Sequence, residues 1–204
     1  MCISKFLMTL FDRSIDPAIE ADINRDIDAF FTAFSLMDGT YTSKTEARQF
    51  ADRYQPEYQS IKSAKVPKKH MLYPRAQEFL ACYKDLGNRI TQKNEYFLLC
   101  EKARCDALLS DIDGKSLDDQ QRTVVVTDED RTLVLAGAGS GKTLTIAGKV
   151  KYLCQERGIS PDDILLIAFT KKSAEEMTER IANRLGIPVQ VTTFHKLGLD
   201  IITA

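Results

Sequence analysis

The stretch 133-LVLAGAGSGKTLTIAG-148 decides the fold class of this chain. A short apolar run enters a loop of small residues, and the loop ends in Gly-Lys-Thr. The pattern GxxxxGK[ST] between a strand and a helix is the phosphate-binding loop, or P-loop. The window 136–143 fits this pattern at its last three positions and departs at the first, where Ala136 replaces glycine. One methyl group is tolerated there if the alanine keeps a negative φ, so the stretch predicts a nucleotide site.

The residue types of the loop suit a triphosphate. Glycines let the backbone turn so that N–H groups point inward, and the N-terminus of the next helix attracts anionic oxygens. We expect Lys142 to neutralise the β- and γ-phosphates and the Thr143 hydroxyl to help hold Mg²⁺. A glycine-rich turn without a ligand is the alternative, and it is disfavoured by the flanking strand and helix. The predicted nucleotide-contacting residues of the loop are Ala136, Gly137, Ala138, Gly139, Ser140, Gly141, Lys142 and Thr143.

The pattern around the loop alternates between strands and helices. Strand–helix–strand order predicts an α/β fold built from right-handed βαβ units. Continuous apolar strands are typical of a parallel sheet that is covered on both faces. The expected strands are 132–136, 164–170 and 189–194, and the expected helices are 117–126, 142–157 and 172–186.

The sequence before residue 117 predicts helices. Apolar residues from Ile19 to Phe34 recur at helical spacing, with Asp16-Pro17 as the start signal and Asp38-Gly39 as the stop. A second helix would bury a stripe made of Ala47, Phe50, Ala51, Tyr54, Tyr58 and Ile61.

A third amphipathic stretch covers 73–112, and it predicts either one long helix or a broken pair. The segments 85–88 and 111–116 are the places where it could break or end. We therefore divide the chain into a helical accessory region, 1–116, and the first half of a RecA-like P-loop domain, 117–204.

Composition and charge limit which binding surfaces, metal sites and cellular location the sequence predicts. The net charge is −1, with 28 Lys+Arg and 29 Asp+Glu, so any nucleic-acid surface must be a local patch. The connector 64–74 carries Lys65, Lys68, Lys69 and His70, either as a solvated loop or as a phosphate-contacting patch. Five cysteines without paired CxxC spacing and two histidines favour reduced thiols over a metal site. The N-terminal apolar run is too short for a signal peptide or a membrane span, which predicts a cytoplasmic protein without a membrane partner.

Three further motifs carry a resemblance. They are LDDQQRTVV upstream of the loop, ILLIAFTKKSAEEMTERI after it, and VTTFHKLGLDII near the end. In this order and spacing, residues 117–204 resemble the UvrD/Rep family of superfamily 1 DNA helicases, and most closely its helicase IV (HelD)-like branch. The resemblance implies two RecA-like lobes with ATP and Mg²⁺ in the cleft, and 3′-to-5′ movement along single-stranded DNA.

The resemblance also assigns an adenine contact. Gln121 matches the glutamine of the family's Q motif, whose carboxamide pairs with adenine; Gln120 is the adjacent competitor. An amide suits this role because it donates and accepts in one plane. Many members have arginine directly after Gly-Lys-Thr, against the adenine. Leu144 stands there in this chain, so that contact is lost or replaced by apolar packing.

Two strand ends are implied to meet single-stranded DNA. Phe169, Thr170 and Lys171 match a motif usually written TFTNKAA, with lysine in place of asparagine. Phe194 and His195 lie in TFHKL, usually TFHSL, and offer a stacking face and a polar contact.

We expect the chain to be the N-terminal part of such an enzyme. No apolar strand ends in the Asp-Glu pair that would hold Mg²⁺ and position water, so we expect little ATP turnover by these 204 residues alone. One alternative is an RNA-polymerase-associated HelD-like ATPase or a non-catalytic interaction module, with 73–112 as the arm; repair proteins are further candidate partners. Another is an unrelated P-loop kinase or transporter ATPase, which the three motifs disfavour.

Overall fold

A computed structural model of the chain describes residues 15–137 and 139–203. The N-terminal segment interpreted above and Ala138 of the loop lie outside the described residues. The chain forms two compact units: residues 15–97 with Asp128–Asp130, and residues 98–127 with 131–203. The domain boundary predicted between residues 116 and 117 stays a prediction.

The first unit consists of helices whose starts follow from local sequence. Asp16 caps the first helix by accepting a hydrogen bond from the N–H of Ala18 at 2.8 Å, with Pro17 in the first turn. Ser43 and Glu46 form a reciprocal capping box at the second. Both predicted helices are confirmed. The helices of this unit are α1 (Pro17–Ser35), α2 (Lys44–Ala64), α3 (Tyr73–Lys84) and most of α4 (Leu86–Arg104).

An aromatic cluster holds the first unit together. The Phe30 ring is fully buried and lies 4.9 Å from the Phe79 ring and 5.2 Å from the Tyr54 ring, both edge to face. Such aromatic pairs stabilise a core beyond the area that they bury. The Asn94 side chain of α4 forms two hydrogen bonds with the backbone of Thr42. Its Oδ1 accepts from Thr42 N at 2.9 Å, and its Nδ2 donates to Thr42 O at 2.8 Å.

The amphipathic stretch from residue 73 is a broken run of helices, as one of the two alternatives predicted. Asp85 separates α3 from α4, and Cys105 separates α4 from the short α5 (Asp106–Leu109). Helix α6 (Asp119–Val126) follows a turn in which Asp113 takes a positive φ of 54°.

The second unit contains a small parallel sheet. Strand β1 (Leu165–Ala168) pairs in parallel with β2 (Gln190–Thr193), and Leu165 lies opposite Gln190. Helix α8 (Lys171–Thr178) and a π-helical turn (Glu179–Arg184) join the two strands. Helix α7 (Lys142–Gln155) precedes the sheet and α9 (Phe194–Thr203) follows it. The predicted α/β class, a helical region followed by the start of a P-loop domain, is confirmed.

One predicted strand is wrong. Residues 132–136 form no strand, and Leu133 and Leu135 are 85% and 87% exposed. A strand needs a neighbour that supplies hydrogen-bonding partners along its edge. Among the described residues β1 and β2 pair with each other, and no ladder reaches 132–136. For the same reason the sheet is not covered on both faces, since Leu165 and Ile167 remain partly exposed.

Within residues 15–137 and 139–203, no helix has both the length and the apolar character needed to cross a bilayer.

Candidate nucleotide and nucleic-acid site

The loop before α7 turns at two left-handed glycines. Gly139 has a φ of 76° and Gly141 a φ of 80°, a region that other residues rarely adopt. Space is also restricted at Gly141, because a Cβ built there would lie 2.7 Å from the Gln121 Nε2 atom. The left-handed turn therefore requires glycine at 141, and the Gln121 amide lies where a larger residue would place its side chain.

Lys142 folds back over the loop that it follows. Its Nζ donates to the carbonyl oxygen of Gly137 at 2.6 Å and to that of Ala136 at 3.2 Å. Ser140 Oγ donates to the same Gly137 oxygen at 2.9 Å. These bonds lie at the exposed surface, so the ammonium group is able to exchange them for phosphate oxygens.

Gln121 links α6 to the loop. Its Nε2 donates to Ser140 O at 3.0 Å, and its Oε1 accepts from Asp118 N at 3.0 Å in a capping box. A carboxamide has two N–H donors and two acceptor lone pairs. One donor and one lone pair therefore remain for a ligand beside the loop.

Close packing between α6 and α7 brings Gln121 to this place. At Gly148 a Cβ would lie 2.9 Å from Leu117 Cδ1, so the missing side chain lets the two segments approach. Lys149 Nζ fixes the end of α6 by donating to Val125 O at 2.9 Å and to Thr127 O at 2.6 Å. Leu144, where the resemblance would place arginine, is buried in the core of the second unit.

Thr143 faces the helix that follows β1. It lines a cavity of about 430 Å³ together with Glu175, Glu176, Glu179, Arg180 and Arg184. Both arginines bind the Asp113 carboxylate, at 3.1 Å and 3.2 Å, so their positions are fixed by the turn before α6. No short motif in the sequence predicts these neighbours of Thr143, because only the packing of α8 and the π-helical turn brings them there.

The candidate DNA-facing residues meet at one edge of the sheet. Ala168 and Thr193 are register partners, so Phe169 and Phe194 follow side by side at the carboxyl ends of the two strands. Their side chains are 89% and 69% exposed. Lys171 and His195 lie directly beyond them and are also exposed. Thr170 belongs to the same edge, but its hydroxyl caps α8 by accepting from Ser173 N at 3.1 Å.

The glycine loop, the helix that begins at its lysine and the parallel strands define the second unit as the start of a P-loop domain. More specifically, residues 117–204 match the model of the family described as the UvrD/REP helicase N-terminal domain.

Comparison with known proteins finds several DNA helicases that are similar to this chain. The chain is 37% identical over 123 residues to DNA helicase IV of Escherichia coli strain K12, covering 60% of this chain and 18% of that protein. It is 40% identical over 91 residues to the ATP-dependent DNA helicase PcrA of Staphylococcus epidermidis, covering 43% and 12%. It is 43% identical over 91 residues to the ATP-dependent DNA helicase Rep of Buchnera aphidicola, covering 43% and 14%.

The chain corresponds to only a small part of each relative. The chain spans less than a fifth of the length of each of the three. The similarity to DNA helicase IV is longer than the segment 117–204, so it includes residues outside the family match.

Proposed function

We propose that this chain is the ATP- and single-stranded-DNA-binding part of a cytoplasmic ATP-dependent 3′-to-5′ DNA helicase. The observation that carries the proposal is the pair of exposed rings, Phe169 and Phe194, at adjacent strand ends in the unit that also holds the P-loop. The relatives' names support the same class, since each is a DNA helicase. An RNA polymerase or repair-protein partner, and the lack of turnover by the chain alone, stay predictions.

The loop residues fit a magnesium-bound nucleoside triphosphate. Left-handed turns such as those at Gly139 and Gly141, followed by the N-terminus of a helix such as α7, favour the binding of anionic oxygens. Lys142 would bind the β- and γ-phosphates in exchange for its carbonyl partners, and Thr143 would ligate Mg²⁺. Bound ATP would supply the phosphoanhydride whose hydrolysis drives movement.

The sheet edge fits a single strand of nucleic acid. Exposed aromatic rings stack on bases without regard to sequence, and nearby cations bind the backbone. Phe169 and Phe194 would supply the stacking faces, Lys171 the cation, and His195 with Thr170 the polar contacts.

Helix α8 connects the two proposed sites. Its first residue, Lys171, lies at the sheet edge, while Glu175 and Glu176 in the next turn line the cavity shared with Thr143. A change at the Mg²⁺ ligand would therefore reach the DNA contact through a single turn of helix. Such a connection suits a motor in which the state of the nucleotide alters the grip on the strand.

We expect alanine at Phe169 or Phe194 to weaken the binding of a fluorescent oligo-dT about tenfold, because each stacked base contributes about 1–3 kcal/mol. Fluorescence anisotropy titration measures the affinity. Both rings are exposed, so the melting temperature should stay unchanged. Leu199→Ala is the matched control, since Leu199 is an exposed apolar residue of α9 without an assigned contact. Unchanged affinity in both phenylalanine variants would refute the DNA-binding edge.

We expect Gln121→Glu to weaken ATP binding about tenfold and to remove the preference for ATP over GTP. The glutamate keeps an acceptor for Asp118 N–H but lacks the amide donors, and it adds a negative charge beside the phosphates. Competition between the two nucleotides for a fluorescent analogue measures the preference. Gln120→Glu makes the same charge change at the exposed neighbour and should leave the preference intact. The reverse result would assign the adenine contact to Gln120.

A further inference from the structure

A basic segment lies in the first unit, at residues 58–77, and runs from the last turns of α2 to the start of α3. It contains five lysines and arginines and no aspartate or glutamate. In the other described residues of this unit, carboxylates outnumber cations. Positive charge is therefore concentrated in this one segment of a unit that is not basic as a whole.

The connector between α2 and α3 has a fixed backbone. Val66 and Leu72 are 8% and 3% exposed and pack into the core of the first unit, one near each end of the connector. Between them His70 N donates to Pro67 O at 2.9 Å and closes a turn. The two lysines inside this turn are exposed. They are thus presented at the surface by an anchored turn.

Three lysines of the basic segment keep their charge available. The ammonium groups of Lys65, Lys68 and Lys69 make no hydrogen bond or ion pair with any residue in 15–137 or 139–203. Arg75 of the same segment, by contrast, binds the Asp28 carboxylate. The three free lysines are therefore suited to bind an anionic partner from outside the chain.

The carboxylates around the segment do little to neutralise these lysines. Glu20 Oε2 lies 3.6 Å from His70 Nε2, and Asp28 is bound by Arg75, so both are directed at other basic side chains. Glu57 borders the segment but lies about two turns of helix before Lys65, where salt screens most of its effect.

The aromatic residues of the segment indicate which kind of polyanion fits. Proteins that bind single strands combine cations with exposed rings on which bases stack. Here Tyr58 and Tyr73 are partly buried, and the Tyr58 ring is stacked on the Tyr83 ring at 4.6 Å. The segment thus offers charge without a stacking face. That combination suits the phosphate backbone of a duplex, whose bases are already paired.

We propose that the basic segment binds the phosphate backbone of double-stranded DNA without reading its sequence. Lys68 and Lys69 on the turn and Lys65 at the end of α2 contact the phosphates. The proposal goes beyond the proposed function, because the segment lies outside residues 117–204 and in a different unit from the P-loop. It takes from that function only that the polyanion is DNA.

The double substitution Lys68→Ser with Lys69→Ser tests the contact through the salt dependence of binding. For duplex DNA, the slope of log K against log salt concentration changes by about 0.9 for each phosphate contact, so its magnitude should fall by about 1.8. Anisotropy titrations of a fluorescent blunt-ended duplex at several salt concentrations measure the slope. Both side chains are exposed, so the melting temperature should stay unchanged.

Lys44→Ser with Lys84→Ser is the matched control. It removes the same charge from two exposed positions of the same unit outside the basic segment, and it should leave the slope unchanged. An equal loss of slope in the two double variants would show a diffuse charge effect and overturn the proposal. Failure of the unaltered chain to bind the duplex at low salt would overturn it as well.

Titrations with oligo-dT separate this proposal from the proposed function. The variant at Lys68 and Lys69 should keep its affinity for oligo-dT, and Phe169→Ala should keep its affinity for the duplex. If the chain does not bind oligo-dT but the duplex slope falls as expected, the proposed function fails and the duplex contact stands. The duplex contact fails if the variant loses affinity for both DNAs equally, or for phosphatidylserine vesicles in place of the duplex.

Discussion

Alanine at Lys142 should weaken the binding of Mg-ATP by about a hundredfold or more. The proposed triphosphate site depends on one ammonium group that reaches the β- and γ-oxygens. Each hydrogen bond between charged groups contributes about 1.5–3 kcal/mol, and Lys142 would make at least two. The present contacts of Nζ with Gly137 and Ala136 show that it reaches across the whole loop.

The loss should appear in binding and not in stability. The contacts that Lys142 makes now are exposed, so water replaces them at little cost when the side chain is removed. Isothermal titration with Mg-ATP measures the affinity, and thermal unfolding measures the stability. Lys151→Ala is the control, since Lys151 is on the same helix and donates to Asp111 O at 2.9 Å. Equal affinities in the two variants would mean that the loop does not hold the triphosphate.

Local signals explain why so many helices were predictable. The start of α1 is fixed by Asp16 and Pro17, and the start of α2 by Ser43 with Glu46, all within one turn of sequence. The buried stripe of α2, which includes Phe50 and Tyr54, follows from helical spacing alone.

The strand predicted at 132–136 is not formed, because a strand depends on a partner outside the local sequence. An apolar run indicates that a segment favours burial. The N–H and C=O groups of a strand also need hydrogen-bond partners, which only a neighbouring strand supplies. Leu133 and Leu135 carry the apolar signal and remain exposed, whereas β1 and β2 find each other across α8. Pairing is a property of the assembled sheet, which a local pattern does not contain.

The residues of the candidate site also fall into two groups, those that a local motif predicts and those that tertiary packing positions. The loop residues and the exposed phenylalanines were visible as motifs in sequence. The arginines beside Thr143 were not, because their positions depend on how α8 and the π-helical turn after it pack.

A buried carboxylate in the second unit should give the largest stability effect. Glu101 of α4 is buried, and its Oε1 accepts from the Tyr152 hydroxyl at 2.8 Å. The Arg104 guanidinium donates to both carboxylate oxygens, at 2.8 Å and 2.7 Å. These hydrogen bonds, led by that from Arg104, hold the pKa of Glu101 below its usual range, while burial raises the pKa of Tyr152.

We expect Glu101→Ala to lower the free energy of unfolding by about 3 kcal/mol. The substitution leaves the fully buried Tyr152 hydroxyl without its acceptor, which alone costs about 1–3 kcal/mol, and it removes buried contacts as well. Arg104 is half exposed and keeps Glu156 as a partner at 2.7 Å, so it adds little to the loss. Urea unfolding followed by circular dichroism measures the change.

Tyr152→Phe provides the matched partner for a double-mutant cycle. By itself it should cost about 1 kcal/mol, because Glu101 keeps Arg104. Combined with Glu101→Ala it should recover about 1–2 kcal/mol relative to the sum, since the orphaned hydroxyl is gone. Strict additivity would contradict a direct coupling of the two side chains.

The same carboxylate makes stability depend on pH in a defined direction. Because the pKa of Glu101 is lower in the folded chain than in the unfolded chain, its contribution is fully present above the ordinary glutamate value of about 4.3. That contribution is lost as the pH falls through the lowered folded-state pKa. The stability difference between the unaltered chain and Glu101→Ala should therefore be constant at neutral pH and shrink in acid below pH about 4. A difference that stays constant down to that region would show that the charge of Glu101 does not contribute to folding.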